Sequence, residues 1–560
     1  MAGRVPVAAF LDGRLAGSRG AAFVAGAAAA VGAQVAWRLL APGNLWHRLK
    51  LFIFSVGRRL LAPLIEKEIV KASKDGLGFY LVPGERVYDA LPKTGLSAKA
   101  IMAEANALHG ALDADYTTGH LSGTVYHGGK EHTALMNDIM SLFQWTNPLH
   151  IDTFNAVRKM EAEVVAMVLR MFRGDTERPD ACGALTSGGT ESICMALKSH
   201  RDWAAAELGI GPDDGPTVVA PITAHPAFDK ACSYYGLRLV KVPVDPNFGS
   251  VDPAELERHI TANTIMIVGS APNFPFGTVD PIEKLGKIAQ RHNIGLHVDA
   301  CLGGFVVQFM DQVKGLKNPP VVDFRVKGVT SISCDTHKFG YAPKGTSTVL
   351  YASKKLRRYQ YFAIGDWPGG LYASPAASGS KPGNCIAGTW AAMLSLGNDG
   401  YADAATKITN NLAKAIHGIL NIPHLRILGN PTVCAVAFTS DDLDIYKVSD
   451  DLTARFGWKL NPCQFPAGIQ FSLTLLHTRE GIMDQFLKDL ATVVGDAAAE
   501  RKRLGDKAPP VNAGGATVYG SQQKVADRSI LCDVTKRFLD GYYETHHPVK
   551  EGKKAIAPVE

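Results

Sequence analysis

Lys338 directly follows His337 in residues 331–351, SISCDTHKFGYAPKGTSTVLY. A short apolar run, residues 331–334, leads into Asp335-Thr336-His337-Lys338. A turn rich in Gly and Pro follows (Gly340, Pro343, Gly345), and a second strand-like run, residues 346–351, closes the unit. Lys338 therefore lies on a turn between two expected strands, with Lys344 near it in sequence. A lysine beside a histidine in a mostly apolar surround can lose its proton and act as a carbonyl-directed nucleophile. A surface hairpin with two solvated lysines has the same local pattern, and upstream residues must separate the two readings.

Three further stretches carry chemistry. Thr186-Ser187-Gly188-Gly189-Thr190-Glu191-Ser192 precedes a helical run. Glycines and hydroxyls at a helix start can wrap a phosphate with backbone N–H groups, although an ordinary capped helix looks similar. No GKS or GKT follows, so this is not a Walker loop. Thr223-Ala224-His225 follows a short strand, and the imidazole could stack on a flat ring or be a structural histidine. In His297-Val298-Asp299-Ala300, Asp299 ends an apolar strand. A carboxylate there needs a cationic partner such as a protonated ring nitrogen, a helix cap or an ion pair. Phosphate cradle, stacking ring, carboxylate and amine together are the four requirements of pyridoxal 5′-phosphate.

The elements that must position these residues follow from the apolar rhythm. Residues 217–220, 239–244, 264–269, 294–299 and 331–334 read as strands. Helices are expected over 154–172, 226–235 and 281–292, the last with Pro near its start. This alternation predicts an α/β domain with a mostly parallel sheet covered on both faces, whose ligands sit at the strands' carboxyl ends. After residue 400, a helix over 402–420, strands over 432–438 and 468–475, and a helix over 480–500 predict a smaller α+β domain. The division expected is an N-terminal anchor with a basic juxtamembrane helix (1–65), a segment contributing to the site (66–150), a large cofactor-binding domain (151–400), a small domain (401–545) and a polar tail (546–560).

Residues 20–37, GAAFVAGAAAAVGAQVAW, are apolar except for Gln34 and long enough to cross a bilayer. A cleaved signal peptide and a buried helix are competing readings. Residues 49–65 are again apolar and basic, as an interfacial helix would be. Arg4, Arg14 and Arg19 precede the span. Arg38, Arg48, Lys50, Arg58 and Arg59 follow it, so the C-terminal side should face the cytosol. In bulk, the 560 residues carry a formal net charge of +6, too little for that length to argue for nucleic acid. The nine cysteines are widely spaced with no CxxC pair, against a disulfide framework or a zinc site.

The strings LTSGGTESI, HVDACLGGF, FRVKGVTSISCDTHKFGYAPKG, DWPGGLYASP and GSKPG, with NPLH, SGTVYHG and LLHTREG, resemble the sphingosine-1-phosphate lyase family over about residues 100–545. The resemblance implies a fold-type I pyridoxal-phosphate enzyme with a mostly parallel seven-stranded sheet. It also implies roles. Lys338 would hold the cofactor covalently, Asp299 would pair with its ring nitrogen, and His225 would stack on its ring. Gly188, Gly189, Thr190 and His337 would bind its phosphate, joined by Gly379 and Ser380 from a second chain of a homodimer with shared active sites. Tyr126, Asn147, His150, Lys344 and Tyr372 match positions near the substrate, a phosphorylated sphingoid base. Lys338, Lys344, Tyr126 and a bound phosphate oxygen are candidates for the proton transfers, which the sequence does not rank, and no metal is expected. An endoplasmic-reticulum membrane location with a single span is implied as well. Two departures stand out: Cys334 where relatives often have Ala, and Lys381 where Arg is usual, which keeps the charge but loses the bidentate fork. An amino-acid decarboxylase on the same cofactor and a non-catalytic membrane-tethered scaffold are the alternatives; intact Lys338 and Asp299 weigh against the scaffold.

Overall fold

A computed structural model describes residues 86–505, 511 and 528–543. The expected anchor, its basic helix and the polar tail lie outside the described residues. The chain divides into two units, residues 108–523 and residues 1–107 with 524–560. In the second of these, the described part holds most of the helix Ala98–Leu112 and the helix Arg528–Gly541.

A seven-stranded sheet organises residues 108–523. Its strands are β1 (Cys182–Thr186), β2 (Thr217–Pro221), β3 (Arg238–Val242), β4 (Thr264–Ser270), β5 (Gly295–Asp299), β6 (Ser331–Cys334) and β7 (Ser347–Tyr351), in spatial order β1-β7-β6-β5-β4-β2-β3. Neighbours from β3 to β6 are parallel, and β7 alone runs against its neighbours β6 and β1. All residues of β2, β4, β5, β6 and β7 are buried. That explains their near-continuous apolar sequences, since a sheet covered on both faces has no solvated side.

The covering helices separate by face. Helices α1 (Lys130–Leu142) and α2 (Asn155–Met171) precede the sheet, and α3 (Gly189–Trp203) and α4 (Ala227–Tyr235) follow β1 and β2. Ile193 and Leu197 of α3 and Phe228 of α4 pack with Val218, Met266 and Val268. On the other face, Val157, Val164 and Val168 of α2 and Leu285 of α5 (Ile282–His292) pack with Val219, Ile267, Leu296, Val298 and Ile332. Each such fully buried aliphatic side chain contributes roughly 1.5–3 kcal/mol relative to exposure. Side chains alternate along a strand, so His297, Asp299, Ser331 and Ser333 share the α3–α4 face.

Helix α6 (Gly383–Leu420) is broken at Gly397, whose φ of 58° is left-handed. Beyond it, the strands Arg426–Leu428, Ala435–Thr439, Asn461–Cys463 and Gly468–Ser472 form a fully antiparallel four-stranded sheet. Helices α7 (Ile445–Phe456) and α8 (Ile482–Leu504) cover it around the buried Trp458.

Candidate active site

The carboxyl edge of the large sheet presents a polar row. Asp299 ends β5, with Ser270 on β4 and Ser333 on β6 as its register partners. Asp299 Oδ1 accepts from the Cys301 N–H at 3.0 Å and from Ser333 Oγ at 3.3 Å. Ser333 Oγ has one hydrogen, so His297 Nε2–H must donate to it (3.1 Å), and His297 Nδ1 accepts from Ser331 Oγ (2.8 Å). Burial holds the His297 imidazole neutral, with its pKa lowered to about 3. The relay Ser331–His297–Ser333–Asp299 fixes the carboxylate from behind. His297 and Ser333 are functional neighbours that the sequence reading passed over, although the i, i+2 spacing of His297 and Asp299 on one strand put them on one face.

The 331–351 hairpin forms as expected, but the state of Lys338 differs. Its Nζ lies 2.8 Å from Asp335 Oδ2, and Asp335 is only 2% exposed. Burial by itself would lower the lysine pKa. The Asp335 carboxylate, together with Cys301 and Tyr126, raises it, and the net direction is upward. Lys338 is therefore an ion-paired ammonium here, not the deprotonated amine that an apolar surround would produce. Lys344 is the lysine whose charge is disfavoured, by burial and by Lys338. Its Nζ sits 4.9 Å from the centre of the Tyr126 ring and 3.3 Å from the His337 carbonyl oxygen, to which it donates. Burial raises the Tyr126 phenol, so it stays protonated.

Two loops hold this group. Tyr341 has a left-handed φ of 58°, unfavourable without a glycine by on the order of 1–3 kcal/mol. His132 Nε2, 2.7 Å from the Tyr341 carbonyl, and the Tyr401 hydroxyl, donating to the Gly340 carbonyl at 2.8 Å, pin that turn. The glycine-rich run around Tyr126 is likewise more than a loop. Gly123 (φ 60°) passes so close to the small sheet that a Cβ would sit 2.7 Å from Ser472 Cβ. Its N–H donates to the Ser472 carbonyl, and the Leu475 N–H donates to the Tyr126 carbonyl.

The expected phosphate turn ends β1 and starts α3. A Cβ on Gly189 would lie 2.8 and 2.9 Å from the Asp335 oxygens and 2.9 Å from Cys301 Sγ, so only glycine fits. Gly188 faces the His337 ring, and Thr190 is exposed. His225, just past β2, is exposed; its Nδ1 accepts from the Ala227 N–H, and its ring makes no aromatic contact among the described residues. Tyr126, Asp299, His337, Lys338, Lys344 and the Gly188–Gly189 turn are thus brought together or into neighbouring positions.

The other expected site residues form a separate group. Asn147 Nδ2 donates to Ser380 Oγ at 3.0 Å, and its Oδ1 accepts from the Leu149 and Lys381 N–H groups. Gly379 abuts the Tyr372 hydroxyl. Lys381 pairs with Glu161, so its charge is already used within the chain. His150 is exposed. A cavity of about 500 Å³ lies beside this group, with Leu149, Ile151, Glu161, Gly379 and Lys381 in its wall. Among the described residues no hydrogen bond or ion pair joins this group directly to the Lys338 group. Glu191 bridges them: its Oε2 accepts from Ser187 N–H and Oγ (both 2.6 Å), and its Oε1 from the Ala377 N–H (2.8 Å).

This α/β fold, with a lysine, a carboxylate and an anion turn at the strand ends, defines a pyridoxal-dependent enzyme. The family described as "Pyridoxal-dependent decarboxylase conserved domain" matches residues 109–440. Sphingosine-1-phosphate lyase 1 of Rattus norvegicus is 41% identical over 518 residues, 92% of this chain and 88% of the relative. The enzyme of Saccharomyces cerevisiae is 39% identical over 500 residues, 88% and 82%. The solved sphingosine-1-phosphate lyase of Burkholderia pseudomallei superposes with a TM-score of 0.72 at 40% identity, covering 76% of this chain and 97% of that one. Lactobacillus brevis glutamate decarboxylase, at 20% identity and a TM-score of 0.63, shares the fold. The chain belongs to the sphingosine-1-phosphate lyase family.

The residues fit pyridoxal 5′-phosphate. Asp335 Oδ1, Thr223 Oγ1 and Ser270 Oγ are buried without a hydrogen-bond partner, which leaves polar atoms unused where a polar group should bind. Thr223 lies near His225, and Ser270 flanks Asp299. Lys338 would hold the cofactor, Asp299 would face its ring nitrogen, and the Gly188–Thr190 turn would take its phosphate.

Proposed function

We infer that this chain is a pyridoxal 5′-phosphate-dependent sphingosine-1-phosphate lyase. It cleaves the C2–C3 bond of a phosphorylated sphingoid base to a long-chain aldehyde and phosphoethanolamine. The observation that carries this is identity near 40% to such lyases over most of both chains, with Lys338 and Asp299 at the sheet edge. The bound cofactor supplies an electron sink for the pair released at C2. Asp299, fixed by the Ser333–His297 relay, would face the ring nitrogen and favour its protonated form. Lys344, whose ammonium is disfavoured, is suited to take the proton of the C3 hydroxyl. Tyr126, held protonated, is suited to donate a hydrogen bond there. Lys338 would hold the cofactor, and its amine would be suited to return a proton at C2.

Asn147 is bonded to Ser380, next to Gly379, and among the described residues none of the three is bonded to the Lys338 group of the same chain. This favours a homodimer in which they complete the partner's site. Residues 20–37 would anchor the chain in the endoplasmic-reticulum membrane with the enzyme in the cytosol; among the described residues no helix is long and apolar enough to cross a membrane. The amino-acid decarboxylase alternative is supported by the decarboxylase family match over residues 109–440 and by a fold likeness at 20% identity. Purified chain incubated with sphingosine 1-phosphate, and separately with glutamate, decides between them. Long-chain aldehyde from the first and no carbon dioxide from the second is expected; the reverse would overturn the assignment.

A further inference from the structure

We propose that Asp335 takes the proton of Lys338 when the cofactor attaches, so that arrival of the cofactor's phosphate triggers capture of its aldehyde. The proposal rests on covalent attachment at Lys338.

The carboxylate faces two ways. Oδ2 is 2.8 Å from Lys338 Nζ, and Oδ1 is buried with no partner. Both oxygens line the space over Gly189, closer than any Cβ there would allow. One buried group therefore touches the nucleophile and forms the wall of the anion turn. Its surroundings contain few other proton donors. On its own hairpin are Lys338, Lys344 and His337, whose Nε2 is 3.6 Å away. Cys301 and Asp299 face it from the end of β5, Cys334 lies next to it on β6, and Tyr126 faces it from the glycine-rich run. Cys434 faces Lys338. Burial raises all three thiols and the phenol, so none gives up a proton readily.

In the cofactor-free chain the pair holds Lys338 as an ammonium, which cannot attack a carbonyl. A phosphate dianion entering the Gly188–Thr190 turn repels the adjacent carboxylate and strengthens its hold on a proton. The nearest proton is on Lys338. The Nζ–H bond breaks and an Oδ2–H bond forms, turning ammonium and carboxylate into amine and carboxylic acid with no change in net charge. The amine lone pair then bonds to the aldehyde carbon. The aldehyde oxygen leaves as water with the two remaining nitrogen hydrogens.

The test follows the absorbance of attached cofactor when pyridoxal 5′-phosphate, or pyridoxal without phosphate, is added to the full chain stripped of cofactor. For wild type with pyridoxal 5′-phosphate, the capture rate should change less than about twofold between about pH 6.5 and 8.5, because the pair holds one proton throughout. At pH 7, Asp335→Asn should capture pyridoxal about tenfold faster than wild type, because its lysine is no longer held as an ammonium. A merely structural carboxylate predicts slower capture by the variant. Wild-type capture that climbs about tenfold per pH unit would overturn the proposal without any variant. So would an Asp335→Asn chain no faster than wild type with pyridoxal. Absence of any band in wild type would contradict attachment at Lys338 itself, and the proposal with it.

Discussion

Two lysines six residues apart have opposite electrostatic fates, and the difference is one carboxylate. Asp335 stabilises the Lys338 charge, whereas Lys344 meets burial and a like charge. If Lys344 is the base for the C3 hydroxyl, Lys344→Met should lower kcat/KM about 100-fold while the bound-cofactor absorbance persists. Lys344→Arg, permanently charged, should be as slow as the Met variant. Rescue by Arg would show that Lys344 acts only as a positive charge for the substrate phosphate. The lowered Lys344 pKa also means that the wild-type rate should rise with pH through a value below that of an ordinary lysine, a limb that Lys344→Arg should lack. At this scale several of the expected residues are gathered at the sheet's carboxyl edge. Lys338, Asp299 and the glycine turn each had an ordinary alternative, and were legible only in combination, as three of the four requirements of one cofactor. Asp335 was not, because a polar residue after a strand reads as the start of a turn. Its i, i+3 spacing from Lys338 was the available signal.

Strands β2, β4, β5 and β6 were legible to within two residues because burial on both faces leaves no polar alternation to blur them. Strand β1 (CGALT) was missed: it is short, carries Gly183 and runs straight into the glycine turn. The reversed direction of β7 is not written in its composition. Helix α6 was read only from residue 402, because Gly383, Gly388 and Gly397 weaken its first half; Gly388 is needed where Pro343 approaches to within 2.7 Å of a would-be Cβ. Buried histidines set the acid stability of these elements. His200 ties α3 to the sheet, its Nδ1–H donating to the Ala196 carbonyl and its Nε2 2.8 Å from Thr330 Oγ1. Burial lowers its pKa to about 4, and that of His297 to about 3. Both lie below the unfolded value, so the folded state binds fewer protons. Their contribution is fully present above about pH 6.5 and is lost as pH falls toward 4. For His200 alone this is about 3 kcal/mol. Thermal melts of the loaded enzyme should therefore show Tm falling steadily from pH 6.5 to 4.5, with a shallower fall for His200→Gln. A flat wild-type profile would contradict the burial of these rings.

At the scale of the whole molecule, the expected site residues fall into two groups within one chain, and the proposed homodimer would let the Asn147–Ser380 group complete the partner's site. Specific activity should fall on dilution in step with the loss of dimer measured by sedimentation. Activity unchanged in a demonstrated monomer would remove the shared-site proposal. A chain lacking residues 1–65 should keep its turnover of detergent-dispersed substrate but no longer sediment with membranes. The sequence indicated this organisation only through family resemblance, since nothing in a single chain's periodicity says which residues will meet a partner.

Lys338 is proposed to carry a carbon–carbon cleavage of a phosphorylated sphingoid base. The most direct measurement is long-chain aldehyde released from sphingosine 1-phosphate by wild type and by Lys338→Ala at equal cofactor concentration. Wild type should release aldehyde and phosphoethanolamine in equal amounts, and the variant should release neither. Equal turnover by the variant, or carbon dioxide in place of aldehyde from wild type, would rule out Lys338 as the residue that carries the cleavage.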